Sequence, residues 1–381
     1  MNTIEAQDWF QDFCRRWPLT ERYYIWGAGV TARRFCALFG ERLQIAGFLD
    51  NDPAKWDTIF LGHPVYRPDH SFAQGNPCKV IITSDSYLAI IPALERRGLV
   101  ENVDFCNSNI FESLHMWCST EKVYLRRTDV AITSACSLNC KNCNMLIPYY
   151  KQHAHRTPES ILSDMEDYFR WVDHVDIFNL LGGEPFLHPK VFEIVRETAE
   201  RFRAKIGALV LITNGTVMPS EELLSYMGGN GITVELSDYR KGIPEITPRF
   251  EAFIRMLETH GIPYFMPGVE VWTDFNHVEE DRSGWDLERL SAVCKGCNPP
   301  FRGLYDRKFY YCHLSTSAMI SGRFPQDSGD YFDLSGPSDG HKAELLAFDL
   351  GFLPKGSISY CRYCGGCPPM NQHRVAIAEQ L

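Results

Sequence analysis

No stretch of this 381-residue sequence approaches the roughly 20 consecutive apolar residues that a membrane-spanning helix needs. The opening segment, MNTIEAQDWFQDFCRRW, breaks every apolar run with acids or polar residues, so no secretory signal is expected there and a cytoplasmic location is. Basic residues are in deficit: Lys and Arg number 38 against 48 Asp and Glu, a formal net charge of −10. That balance argues against a nucleic-acid binder, which normally shows a basic face. Internal repeats and low-complexity tracts are also missing. What remains is a folded globular composition, 45% hydrophobic and 13% aromatic, long enough to predict two or three domains.

Cysteine is abundant, at 14 residues. A large chain without an export signal is expected to use thiols for metal or chemistry rather than for disulfides. Cys14, Cys36, Cys78, Cys106 and Cys118 are scattered singly and read as small buried residues. The others fall into tight groups at 136–143, 294–312 and 361–367.

Residues 22–110 alternate strand and helix signals. An apolar strand at Arg22–Trp26 leads into Gly27-Ala28-Gly29-Val30-Thr31-Ala32 and a helix to Phe39, and a second strand at Ile45–Leu49 ends at Asp50. This is a βαβ pattern with a G-x-G-x-x-A turn and an acid about 20 positions on. Gly27, Gly29 and Asp50 are therefore candidate nucleotide contacts, the glycines admitting a phosphate and Asp50 accepting from a ribose. An empty structural turn explains the same residues equally well. Through Gly27-Ala28-Gly29, Gly47-Phe48-Leu49-Asp50-Asn51-Asp52 and Gly62-His63-Pro64-Val65, this segment also resembles the N-terminal domain of sugar-modifying acyltransferases. The resemblance tilts the expected substrate toward carbohydrate. Periodicity fades from Asn107 to Lys122, where a linker is expected.

Residues 123–285 repeat the strand–helix rhythm. Strands are predicted at Asp129–Thr133, Asp176–Leu181, Leu209–Thr213, Thr233–Ser237 and Pro263–Met266. Thr157-Pro158-Glu159 opens a helix with an N-cap, a first-turn proline and a first-turn acid. Helices are also predicted at Pro189–Phe202, Ser220–Met227 and Pro248–His260. Repeated βα units favour a parallel barrel or partial barrel, with functional residues at strand C-termini. The last 95 or so residues turn rich in Gly, Pro and Cys, and would gain much from metal crosslinks.

Cys136-Ser-Leu-Asn-Cys140-Lys-Asn-Cys143 follows the first of these strands. Three thiolates on one loop can hold three corners of an iron–sulfur cube and leave the fourth iron open. Gly182-Gly183-Glu184-Pro185 follows the second strand and Thr213-Asn214-Gly215 the third. Together these motifs resemble the radical S-adenosylmethionine (SAM) superfamily over roughly residues 125–270. The resemblance implies that Cys136, Cys140 and Cys143 bind a [4Fe–4S] cluster whose open iron chelates SAM. It further implies that Gly182, Gly183, Glu184 and Pro185 contact the cofactor's amino group, and that Thr213, Asn214 and Ser237 approach its methionyl or ribose part. The implied chemistry is reductive cleavage of SAM and hydrogen abstraction from an unactivated C–H, with electrons from an external donor such as flavodoxin or ferredoxin. Asn142 is polar where many relatives carry an aromatic. Zinc binding, with Gly-Gly-Glu-Pro as a mere turn, is the structural alternative.

Cys294, Cys297, Cys312, Cys361, Cys364 and Cys367 form a second constellation. Two C-x2-C pairs alone suggest zinc. The whole pattern resembles the SPASM and twitch extensions of radical SAM enzymes, although Arg307 replaces the glycine usual in the turn before Cys312. Six thiolates are too few to saturate two [4Fe–4S] clusters, so one auxiliary cluster is expected, two with open sites being the alternative. Cys312, Cys361 and Cys364 are the leading ligands, with Cys294 or Cys297 the fourth. Cys367 is left as ligand, structural thiol or hydrogen-atom donor.

His153, His155, His174 and His188 read as structural, Asp238-Tyr239-Arg240 equally as a substrate-facing run or a solvated loop, and Phe169 and Trp171 as core. The expected fold is α/β, a partial (β/α)6 TIM-like barrel over 119–285, preceded by a Rossmann-like domain over 1–118 and followed by a small Cys-rich SPASM/twitch domain over 286–381. The expected reaction is oxidation or epimerisation of a sugar, cyclitol or nucleotide sugar. Maturation of a ribosomal peptide, or a non-catalytic zinc-stabilised binding module, are the alternatives.

Overall fold

The computed structural model describes residues 2–70, 78–84, 87–275, 282, 284–295, 297, 301–367 and 371–381. The chain divides into two compact units, Asn2–Lys122 and Val123–Leu381.

The first unit carries α1 (Thr3–Arg16), β1 (Arg22–Trp26), α2 (Val30–Phe39), β2 (Gln44–Leu49), β3 (Ile59–Phe60), β4 (His63–Tyr66), β5 (Lys79–Ile82), α3 (Tyr87–Glu95), β6 (Phe105–Asn107) and α4 (Ser108–Thr120). Its six-stranded sheet has the order β3-β4-β2-β1-β5-β6, parallel except for the β3–β4 hairpin. The linker expected from Asn107 to Lys122 is instead helix α4. Its N-cap Asn107 accepts from the Asn109 N–H, and it buries Phe111, Leu114 and Trp117. Its amphipathic signal was hidden because Ser108, Glu112, Ser113 and His115 are buried as well. Glu112, for instance, is held by Arg34 at 2.6 Å, so packing inside the unit overrides a weak local pattern.

The second unit carries β7 (Tyr124–Thr133), α5 (Pro158–Trp171), β8 (His174–Gly182), α6 (Val191–Phe202), β9 (Ile206–Thr213), α7 (Glu221–Gly229), β10 (Thr233–Leu236), α8 (Thr247–Thr259), β11 (Tyr264–Phe265) and β12 (Trp272–Thr273). These are followed by α9 (Leu287–Lys295), β13 (Gly303–Tyr305), β14 (Lys308–Tyr310), α10 (His313–Ile320), β15 (Tyr331–Asp333), α11 (Lys342–Asp349) and β16 (Arg374–Val375). Strands β7 to β11 are mutually parallel. The sheet order is β11-β10-β9-β8-β7-β13-β14-β15, so the Cys-rich segment extends the same sheet through the Gly303↔Asp129 pairing. Helix α5 begins at N-cap Thr157, whose hydroxyl accepts from the Ser160 N–H, with Pro158 in the first turn. Its Tyr168 and Phe169 pack on Phe178 of β8 at 5.8 and 5.4 Å. By strand alternation Asn179 then faces the opposite side of the sheet.

The turn between β13 and β14 places Asp306 and Arg307 at φ 51° and 58°, a left-handed conformation that normally asks for glycine. Here the buried Asp164 carboxylate accepts from both turn N–H groups at 2.8 Å. Those two charge-assisted bonds offset the strain and explain how Arg307 occupies a glycine position.

Candidate functional site

The thiol loop leaves the C-terminal end of β7, beside the C-terminal ends of β8, β9 and β10. Beyond their regular pairing, β7 and β8 stay zipped: Gly183 N–H donates to the Thr133 carbonyl at 3.0 Å and Glu184 N–H to the Ala135 carbonyl at 2.8 Å. This brings the Gly182-Gly183 backbone hard against the loop. A Cβ on Gly183 would lie 2.6 Å from the Ala135 carbonyl carbon and 2.9 Å from Cys136 Cβ, so glycine is required by the close approach itself.

Glu184 is fully buried. Its carboxylate accepts from Thr213 Oγ1 at 2.8 and 2.9 Å, from the Asn214 N–H at 2.9 Å and from the Phe186 N–H at 3.2 Å. Burial pushes its pKa up to about 7, against the opposing pull of those donors. The side chains of Glu184 and Thr213 are thus spent on each other, clamping the end of β8 to that of β9. Pro185 begins the short helical turn that follows.

Asn214 links that clamp to the thiols. Its Nδ2 lies 3.7 Å from Cys136 Sγ and donates to Ser137 Oγ at 3.1 Å, while its Oδ1 accepts from the Thr216 N–H and hydroxyl. Ser237 donates its N–H to the Thr213 carbonyl at 2.9 Å and its side chain bonds Tyr239. Tyr239 in turn packs in one apolar cluster with Cys140, Cys143 and Ile377.

The three thiols lie near enough for each to raise another's pKa electrostatically, but burial is the larger cause, pushing Cys136 and Cys143 to about 11. N–H groups converge on them: Leu138 on Cys136, Gln380 Nε2 on Cys140, and Met145, Leu146 and Ile147 on Cys143. A donor set of three partly shielded thiols ringed by N–H groups fits an iron–sulfur cube, whose sulfurs accept such bonds.

A second thiol ring lies in the same unit. Cys294, Cys297, Cys312, Cys361, Cys364 and Cys367 line one cavity, together with the rings of Phe301, Tyr311 and Tyr360 and, among the described residues, with no carboxylate or imidazole. Cys294 bonds Cys361 and Cys297 bonds Cys367 through their thiols. Arg302, itself buried, bonds the Tyr311 carbonyl at 2.7 Å and Asp349 at 2.6 Å, fixing the strand end before Cys312. Arg282 holds the Cys364 carbonyl at 2.7 Å, and Asn371 holds that of Gly366 at 3.1 Å. All six sequence-selected cysteines are therefore gathered. An all-thiol, polyaromatic lining suits a soft metal or an iron–sulfur cluster. Among the described residues no group of three or more Cys, His, Asp or Glu is drawn together as a single-ion site.

Sequence reasoning missed a polar network on the sheet face opposite α5. Asp129 of β7 accepts from Arg127 Nε at 3.0 Å, from Asn179 Nδ2 at 2.6 Å and from His313 Nδ1 at 2.8 Å. Burial opposes its ionisation, but Arg127, His313 and Asn179 outweigh it and hold the carboxyl well below the usual range. Half-buried Glu235 of β10 lies near enough to feel both Arg127 and Asp129, and burial raises its pKa. The signal was present as Arg127 and Asp129 two apart in a strand. His313, adjacent to Cys312, carried none. Of the histidines read as structural, His155 bonds Thr133, and His188 bonds the Arg156 carbonyl and the Lys190 N–H.

In the first unit Gly27 and Gly29 form the turn into α2 as expected, but Asp50 is committed internally. Its carboxylate accepts from the Ala28 and Asp52 N–H groups at 2.8 and 2.9 Å and pairs with Lys55 at 3.0 Å.

Residues 130–280 match the family model described as the Radical SAM superfamily. Among curated proteins, a GTP 3',8-cyclase of Microcystis aeruginosa (strain NIES-843 / IAM M-2473) is 32% identical over 112 residues, 28% of this chain. The match spans 31%, under a third, of that relative's length. Similar solved structures include native anSMEcpe with bound AdoMet (TM-score 0.41, 14% identity, 66% of this chain and 93% of that one). BtrN in complex with AdoMet and 2-DOIA is similar at TM-score 0.38 and 13% identity, over 67% and 98%. Streptococcus suis SuiB bound to S-adenosylmethionine follows at 0.34 and 12%, over 78% and 89%. Among the described residues no helix is long and apolar enough to cross a membrane.

Proposed function

The chain carries a radical SAM domain, a family that uses a [4Fe–4S] cluster and SAM, and from that premise we propose that it oxidises or epimerises a carbon bearing a hydroxyl or amine on a small polar substrate of the sugar, cyclitol or nucleotide-sugar type. The observation that carries the site assignment is the gathering of Cys136, Cys140, Cys143, Gly182–Pro185, Thr213, Asn214 and Ser237 at the C-terminal ends of the parallel strands β7 to β10. When bound, the cluster and SAM supply abstraction of a hydrogen atom from an unactivated C–H.

This chain's own residues orient and enclose. Cys136, Cys140 and Cys143 would hold the cluster. Gly182 and Gly183 bring the β8 backbone against the thiol loop. Glu184 and Thr213 lock the strand ends rather than reach for a ligand, so cofactor contact in this motif falls to backbone groups. Asn214 donates toward Cys136. The polar face built from Arg127, Asp129, Asn179 and Glu235 supports a hydrogen-bonding substrate. Among the described residues Asn179 Oδ1 is buried with no bond of its own and Glu235 is half-buried, and two acceptors suit hydroxyl or amine donors.

The six-thiol cavity supports one auxiliary [4Fe–4S] cluster, with Cys312, Cys361, Cys364 and either Cys294 or Cys297 as ligands and the remaining two thiols beside it. It would accept the electron left by a net oxidation. The GTP 3',8-cyclase similarity is compatible with a nucleotide-bearing substrate. The first unit is read as a structural Rossmann-like domain, because Asp50 already closes the Gly27–Gly29 turn.

A peptide substrate is the second reading, favoured by the exposed apolar run of Phe265, Met266, Val269 and Val271 that begins in β11. Iron and sulfide analysis of anaerobically reconstituted protein tests the metal assignment, and zinc without sulfide would overturn it. With SAM and a strong reductant the protein should yield 5′-deoxyadenosine and methionine, and Cys140→Ala should abolish both. Deuterium transfer into 5′-deoxyadenosine from labelled cyclitols, sugars or peptides then separates the two substrate readings.

A further inference from the structure

Residues 377–381 form part of the thiol-loop site, and nothing in the motif pattern pointed to them. Cys140 and Gln380 make an antiparallel bridge. Around it the Lys141 N–H donates to the Glu379 carbonyl at 2.8 Å and the Leu381 N–H to the Asn139 carbonyl at 3.0 Å. Ile377 and Ala378, 4% and 0% exposed, pack against Cys140, Cys143 and Tyr239. The seat is shaped for this segment: a Cβ on Gly242 would come within 3.0 Å of the Ile377 carbonyl carbon.

Within that bridge the Gln380 amide is used at both ends. Its Oε1 accepts from the Asn139 N–H at 2.8 Å, while its Nε2 donates to the Ala378 carbonyl at 2.7 Å and to Cys140 Sγ at 3.1 Å. The orientation follows from chemistry, since a flipped amide would set N–H against N–H and oxygen against both carbonyl and sulfur. Cys140 is thus bonded by a side chain 240 residues away in a segment that β16 ties to β12, and at 3.1 Å that contact is shorter than the 3.7 Å from Asn214 Nδ2 to Cys136 Sγ.

We propose that Gln380 is a positioning residue of the [4Fe–4S] site, fixing Cys140 and, by its N–H donated to the sulfur, raising the cluster's reduction potential. This rests on the reading that the 136–143 loop holds the cluster. A reduced cluster carries more negative charge on its sulfurs, so a donor aimed at one of them favours the reduced state. Gln380→Glu keeps the acceptor for Asn139 but turns a charged oxygen toward Cys140. Gln380→Met keeps the length and removes the donor.

The test is a redox titration of the reconstituted protein, following the electron paramagnetic resonance signal that responds to added SAM. Potentials should fall in the order wild type, Gln380→Met, Gln380→Glu, with the last shifted about tenfold in the one-electron equilibrium, roughly 59 mV. Coincident potentials in all three proteins would overturn the proposal, even if melting temperature or iron content fell, because those losses need only a structural role. Should Gln380→Glu fail to fold, the comparison of wild type with Gln380→Met decides. A wild type with no SAM-responsive signal would instead overturn the cluster assignment itself.

Discussion

Gly183→Ala separates two reasons for a glycine at the end of β8. The added Cβ would meet the Ala135 carbonyl carbon at 2.6 Å and Cys136 Cβ at 2.9 Å, where comfortable carbon–carbon contact is about 3.5–4.0 Å. The two backbones must therefore part by about 1 Å. Overpacking of that kind costs roughly 1–3 kcal/mol. The separation also strains the Gly183–Thr133 and Glu184–Ala135 hydrogen bonds, each worth about 1 kcal/mol. A loss of about 3 kcal/mol in metal-free protein is expected, read as a fall in Tm of roughly 6–12 °C for a unit of this size. Iron uptake should drop as well, because Cys136 moves with Ala135. Gly229→Ala is the control: no atom lies within 4 Å of its added Cβ at the end of α7, so stability should be unchanged or rise by up to about 1 kcal/mol. If Gly183→Ala melts like wild type without metal and loses only SAM binding, the glycine serves the ligand and the strand-closeness argument is wrong.

Three further outcomes follow from the same geometry. Burial raises the Glu184 pKa to about 7 from the ordinary 4.5, so the folded state holds this proton more tightly than the unfolded chain. Stability should then decline as pH rises from about 4.5 to 7, by about 3 kcal/mol relative to Glu184→Gln; parallel denaturation curves for the two proteins between pH 5 and 8 would refute this. Asp129→Ala strips the partner from Arg127 and His313 in a buried site, and a loss of about 3–5 kcal/mol is expected by chemical denaturation. Cys312→Ala should lower iron content while leaving SAM-dependent spectral changes in place, whereas Cys140→Ala should remove those changes; identical behaviour of the two variants would contradict two separate thiol sites.

Local chemistry made part of this protein legible before any coordinates. The N-cap at Thr157, the strand preceding Cys136 and the glycines after β8 are decided by residues adjacent in sequence, so their signals survive in a linear reading. The thiols were legible for the same reason, since C-x3-C and C-x2-C spacings bring ligands together whatever the rest does. Helix α4 was missed because its buried face includes polar residues whose partners lie elsewhere in the chain.

The sequence by itself determined the motif-bearing βα elements and the local cysteine groups, because capping, alternation and loop spacing act over a few residues. Only the tertiary structure decided that Glu184 clamps Thr213 and Asn214, that Asp129 gathers Arg127, Asn179 and His313, and that Gln380 reaches Cys140 across 240 residues of chain. Each is a hydrogen bond between side chains or backbone far apart in sequence. A buried donor or acceptor must find a partner, but where that partner comes from is settled when the sheet closes over it.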